Sequence, residues 1–219
     1  SFLTPSVVTS FQVLENGRLG IIDYVDLPGA WSVDTWGKYV FVGVFKGIYD
    51  NNIQYPWKPS YLDLWSDPVE DAIYVFEIDP SDGKMTEVNH YPFSRGLTDV
   101  KVFHTDNSLK LAAVSAYDHV MTMYDINPST RELTFTKTFT DSPNSINSET
   151  MIQLVNYNDV TVALNHEGSI LTSSPPYATS SSFLTNLEFI VDRIAIQKST
   201  GCAYIYSHHS TRLHVYKYN

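Results

Sequence analysis

An all-β fold is predicted for this 219-residue chain by three observations. Apolar residues alternate with polar ones at period two in many short segments, and almost nowhere at the helical period. Aromatic residues make up 14%, including 15 Tyr, while charged residues reach only 17%, a balance that favours strands over helix surfaces. The same run of strands and turns then recurs at a nearly fixed spacing.

Residues 6–27 read as two strands joined at the hairpin turn Glu15-Asn16-Gly17-Arg18. Gly37–Phe45 reads as a buried strand, with Tyr39–Phe45 its unbroken apolar run. Ala72–Ile78 follows, then the turn Asp79-Pro80-Ser81-Asp82-Gly83 and a strand over Met85–Tyr91. The next strands are Leu109–Tyr117 and Val120–Ile126, and Asn127-Pro128-Ser129-Thr130 turns the chain into Glu132–Phe139. Ile78-Asp79-Pro80-Ser81 stands 48 residues before Ile126-Asn127-Pro128-Ser129. Ser115–Tyr124 matches Ser207–Tyr216 across 92 residues, with Val160–Leu164 and Ile170–Thr172 in the intermediate place.

A four-stranded sheet with two apolar faces cannot bury both alone, so copies stack about an axis. The predicted fold is a β-propeller of four-stranded antiparallel blades, a single domain over residues 1–219 with about four to five blade units. Units are read at 6–27 (two strands), 30–93, 96–139, 148–183 and 187–219, the last with three strands. Either the N-terminal strand completes the last blade, or the chain is part of a larger ring. The chain opens Ser1-Phe2 without Met, read as processing, trimming or excision from something longer.

Leu111–Ile126 resembles the second-to-third strand hairpin of a WD40 blade. In that resemblance Asp118 is the structural turn aspartate, and Tyr124-Asp125 stands where the Trp-Asp dipeptide falls. Other blades carry Phe76-Glu77 and Tyr216-Lys217 there, and no Gly-His dipeptide occurs. The Asp79–Lys84 turn is also similar to that of lactonase-type seven-bladed propellers. The resemblance implies a propeller over most of the chain, and reaches motif level only at residues 109–126.

The segment from Ile48 to Asp71 interrupts the repeat within a second-to-third strand link. It carries Tyr49, Tyr55, Trp57, Tyr61 and Trp65 among three prolines, with Asp50, Asp63, Asp67, Glu70 and Asp71 against one basic residue, Lys58. Pro59 suits the first position of a short helix that would put Tyr61 and Trp65 on one face. Tyr and Trp anchor interfaces, so Tyr49, Tyr55, Trp57, Tyr61, Trp65, Asp63 and Asp67 are the candidate partner-binding residues. The competing reading is that these rings pin the loop to the propeller.

Seven histidines include His208-His209 and His214 in one hairpin and His104 and His119 in another, without metal-ligand spacing. Asp23 and Asp26 fall on opposite faces of one strand, and Asp67, Glu70, Asp71, Glu77 and Asp79 sit at turns. No catalytic residue, metal or cofactor is assigned. The lone Cys202 reads as a small buried side chain at a strand start. Ser173–Ser182 reads as a flexible inter-blade connection, with phosphorylation as the alternative.

A net charge of −10 argues against nucleic acid as the main partner. No apolar run approaches the roughly 20 residues of a spanning helix, and no signal-peptide pattern is visible. The sequence therefore points to a non-catalytic protein-interaction scaffold in an intracellular (cytoplasmic or nuclear) multiprotein assembly, its partner unidentified. The alternatives are a lactonase-like or cyclase-like enzyme working in the axial channel, and a carbohydrate-binding propeller.

Overall fold

A computed structural model describes residues 6–45, 71–93, 96–105, 108–115, 120–140, 151–157, 160–165, 170–172, 178–179, 193–197, 199–200, 202–207 and 212–217. The chain begins as a hairpin of β1 (Val7–Val13) and β2 (Leu19–Asp26). A four-stranded sheet follows, made of β3 (Ala30–Trp36), β4 (Tyr39–Val44), β5 (Ala72–Ile78) and β6 (Met85–Pro92). The next comprises β7 (Leu97–Thr105), β8 (Ser108–Ser115), β9 (Val120–Ile126) and β10 (Leu133–Thr140). A third contains β11 (Met151–Tyr157), β12 (Val160–Asn165), β13 (Ile170–Thr172) and β14 (Ala178–Thr179). The last has three strands, β15 (Arg193–Gln197), β16 (Cys202–Ser207) and β17 (Arg212–Lys217).

Within every sheet each strand pairs antiparallel with its neighbour in sequence, and no helix occurs among the described residues. The first strands of successive sheets pack together, β3 on β7, β7 on β11 and β11 on β15. Sheets that meet along their first strands radiate from a common axis, which is the predicted arrangement of propeller blades. Among the described residues β1 pairs with β2 and the last sheet runs β15-β16-β17, with no pairing between the N-terminal hairpin and that sheet.

Alternation explains how the blades hold one another. In β4, Tyr39 and Phe41 face the following blade, while Val40, Val42 and Val44 face the hairpin. In β8, Leu109, Leu111 and Ala113 face the preceding blade, and Ala112 and Val114 join Met121, Met123 and Leu154 on the other side. A strand buried on both faces reads as an unbroken apolar run. That is why Tyr39–Val44 is buried throughout.

Two details tighten the stack. Each full blade carries a bulge in its first strand, at Ala30/Ser32, Leu97/Asp99 and Met151/Gln153. A Cβ on Gly43 would lie 2.6 Å from Ser32 Oγ and 3.3 Å from Leu97 and Val100, so the close approach of blades requires glycine there.

The 48-residue repeat extends to turn chemistry. Asp79 Oδ1 accepts from Ser81 N at 2.8 Å, and Gly83 N donates to Asp79 O at 2.7 Å. Asn127 Oδ1 accepts from Ser129 N at 2.9 Å, and Arg131 N donates to Asn127 O at 2.8 Å. Gly83 (φ 75°) and Arg131 (φ 64°) hold the same left-handed place, unusual for arginine.

Four expectations are corrected. Glu77 lies within β5, opposite Tyr39, rather than at a turn. Ser173–Ser182 contains β14, which pairs with β13 inside one sheet, so it is no link between blades. Cys202 opens β16 as expected but is only half-buried, because it lies in the last sheet of the stack. His104 lies on β7, paired with Leu109, whereas residue 119 falls in the β8–β9 link, so the two belong to different hairpins.

Candidate functional site

The aromatic insertion joins β4 to β5, the second and third strands of its blade. Tyr49, Tyr55, Trp57, Tyr61, Asp63, Trp65 and Asp67 lie outside the described residues, as do Pro59, Asp118, His208 and His209. Both flanks of the insertion are described. At its start, Phe45 N donates to Gly29 O at 2.8 Å, and the Phe45 ring sits 5.7 Å from that of Trp31. At its end, Phe93 N donates to Asp71 O at 2.8 Å, and the buried Asp71 carboxylate accepts from Gly96 N. Gly29 and Gly96 belong to the links between successive sheets, so backbone on both sides of the blade holds the two described flanks, Phe45 and Asp71. Asp71 thus takes the backbone-bending role expected of the turn acids.

Beside this clamp lies a residue that sequence reasoning passed over. Trp31 is 57% exposed, and Val33 on the same face of β3 is 56% exposed. The signal was present as alternation: Trp31, Val33 and Thr35 oppose Ser32 and Asp34.

The carboxylates of the blades act as acceptors for backbone N–H groups of the next one. Asp23 Oδ2 accepts from Met85 N at 2.8 Å, Asp34 Oδ2 from Val102 N at 2.8 Å and Asp99 Oδ2 from Leu154 N at 2.8 Å. Asp34 also pairs with Lys101 at 3.7 Å. Burial pushes the Asp99 carboxyl up to about 6, against the lowering effect of the Leu154 and Val100 N–H groups and of Lys101 and Arg193. Such a value suits proton transfer, but Asp99 is engaged as a structural acceptor. Among the described residues no three His, Cys, Asp or Glu side chains are grouped to hold a metal.

At the other end of β4, Arg131 closes a cross-blade latch. Its Nε donates to the Tyr39 hydroxyl at 2.7 Å, and its guanidinium meets Glu77 at 3.2 Å and stacks 5.1 Å from the Tyr39 ring centroid. Glu77 also bonds Lys38, which holds its carboxyl below the usual carboxylate range. This latch accounts for arginine in a glycine position. Arg131→Ala is expected to lower stability by about 1 kcal/mol, the size of one hydrogen bond to the Tyr39 hydroxyl, when measured by urea unfolding. Nearby, Trp36 Nε1 donates to His104 Nε2 at 2.9 Å, which occupies that histidine in a side-chain contact.

Of the remaining hairpin residues, Tyr124 packs edge-on to Phe135 at 6.4 Å. Burial raises its hydroxyl above the ordinary tyrosine range. Asp125 pairs with Lys110, directly opposite it on β8.

No family model and no curated protein matches the sequence. Solved structures do resemble the fold. Sqt1 of Saccharomyces cerevisiae aligns at TM-score 0.58 and 10% identity, over 98% of this chain and 59% of its own. A Lactobacillus plantarum protein aligns at 0.66 and 11%, over 97% and 61%. A candidate 6-phosphogluconolactonase from Bacteroides uniformis aligns at 0.66 and 15%, over 96% and 60%. At these identities the likeness is one of fold, the β-propeller. The chain spans about three fifths of the length of each.

Proposed function

We propose that this chain is a non-catalytic interaction scaffold, a single propeller domain that presents residues 48–71 to a protein partner within an intracellular assembly. The observation that carries this reading is the clamp: a long aromatic, acidic segment whose two ends are tied to adjacent blade links through Gly29, Phe93 and Gly96. A rigid base reduces the entropy lost when the segment engages a partner. Trp57, Trp65, Tyr49, Tyr55 and Tyr61 supply apolar anchors, and Asp63 and Asp67 bias the choice toward a basic surface. Trp31 and Phe45 extend the apolar area at the base.

The double variant Trp57→Ala, Trp65→Ala tests this reading. Partner recovery in a pull-down should fall at least tenfold while the thermal melt stays within about 2 °C of the parent, because interface anchors contribute to binding and not to the blade core. Undiminished recovery rejects the docking role. The enzymatic alternative draws on the printed name of the lactonase-like neighbours at 10 to 15% identity. Lactone turnover by the purified chain would favour it.

A further inference from the structure

The turn between β1 and β2 carries the single Asn-Gly step of the sequence, Asn16-Gly17, and both residues are exposed. Gly17 N donates to Leu14 O at 2.8 Å, Leu14 N donates to Arg18 O at 2.8 Å, and Gly17 stands at φ 75°. A tight turn that ends on a left-handed glycine is a common way to close a hairpin. The Asn16 side chain points along the chain, because its Oδ1 accepts from Arg18 N at 3.0 Å. That bond holds the carboxamide over the backbone that follows and withdraws electron density from its carbonyl carbon.

These features favour attack on Asn16 Cγ by the next backbone nitrogen. Gly17 has no side chain to crowd the approach. Where a Cβ would stand on Gly17, no described atom beyond its chain neighbours lies within 4 Å. The Gly17–Leu14 hydrogen bond must open first, and no described side chain packs on Gly17 to oppose that opening.

We propose that Asn16 is a site of spontaneous covalent modification, converted through a cyclic imide with Gly17 into aspartate and isoaspartate. The Gly17 nitrogen gives its proton to solvent base and bonds to Asn16 Cγ, the Cγ–Nδ2 bond breaks, and ammonia leaves. Water then adds to one of the two imide carbonyls and opens the ring. Opening at Cγ leaves aspartate, and opening at the main-chain carbonyl leaves isoaspartate. One water is consumed and one ammonia released, with no change of oxidation state. Either product adds a negative charge beside Glu15. Isoaspartate also lengthens the backbone by a methylene, which disrupts the pairing of Leu14 with Gly17 and Arg18.

The comparable step Asp82-Gly83 is protected. A Cβ on Gly83 would lie 2.7 Å from Ile22, and Gly83 O accepts from Ser10 Oγ at 2.9 Å, so the hairpin packs on this turn. Lys84 donates to Asp82 through its N at 3.0 Å and its Nζ at 2.7 Å. These bonds hold the Asp82 carboxyl below the usual aspartate range, and a carboxylate anion is a poor target for a nucleophile.

The test stores the purified chain in mildly alkaline buffer, where the Gly17 nitrogen loses its proton more readily, and maps its peptides by mass spectrometry. Digestion in heavy-oxygen water marks any conversion that occurs during handling. The expected result is light-oxygen isoaspartate and aspartate accumulating at position 16, with Asp82 unchanged. Gly17→Ala should slow the conversion at least about tenfold, since its methyl crowds the attacking nitrogen. Asn16→Gln, whose longer side chain must close a six-membered ring, should keep its amide. The peptide map reads both variants whatever their stability. An intact Asn16 amide, aspartate without isoaspartate, or isoaspartate at position 82 at an equal rate would overturn the proposal.

Discussion

Phe41→Ala should remove about 3–5 kcal/mol of stability, a third or more of what a domain of ordinary stability possesses. Phe41 is fully buried in the middle of β4, within the layer that Ile73 and Val75 form with Leu97, Val100 and Leu111 of the next blade. Truncation empties a ring-sized volume between two sheets whose bulged first strands and close contact at Gly43 limit collapse. The matching control is Phe135→Ala on β10, where a 61% exposed ring contacts Tyr124 and its loss should cost about 1 kcal/mol or less. Urea unfolding midpoints at unchanged slope measure both. Equal costs would mean that the blades do not pack through β4 and β5 as described.

The second large effect is a pH dependence centred on Asp99. Its carboxyl titrates near 6 in the folded chain, against 3.8 when free of burial. Between those values the folded state holds a proton that the unfolded state has released, so stability falls as pH rises from about 4 to about 6 and stays lower above. The two-unit shift corresponds to about 3 kcal/mol. Asp99→Asn removes the titration and keeps an oxygen that can accept from Leu154 N. The stability of Asp99→Asn relative to the parent should therefore rise between pH 4.5 and pH 7.5 by about 2 kcal/mol, the part of the full shift that falls in that window. Denaturant melts of both proteins at the two pH values provide the comparison. A constant difference would show that Asp99 is not the buried acid described.

Much of the blade frame was legible because it depends on local chemistry. Tyr39–Val44 announces a doubly buried strand, and Asp79–Gly83 and Asn127–Arg131 announce equivalent turns at a 48-residue offset. What joins blades was not legible, since its partners are distant in sequence. Nothing around Arg131 points to Tyr39 or Glu77, and nothing around Asp99 points to Leu154. The proposed docking segment was legible only by interruption. Ile48–Asp71 stands out because the repeat stops there, but a segment without periodicity carries no pattern from which its path can be read. Asp71, which ties its end to Gly96, looked like one acid among five.

The central claim is that the blades form a rigid base and the segment between β4 and β5 makes the contact. The most direct measurement replaces residues 48–70 with a short Gly-Ser link, keeping Asp71, and follows both partner affinity and the thermal melt. The account predicts that affinity falls at least a hundredfold while the melting temperature moves by no more than about 4 °C, since the core layers around Phe41 and Leu111 are untouched. Full affinity in the shortened chain would contradict it.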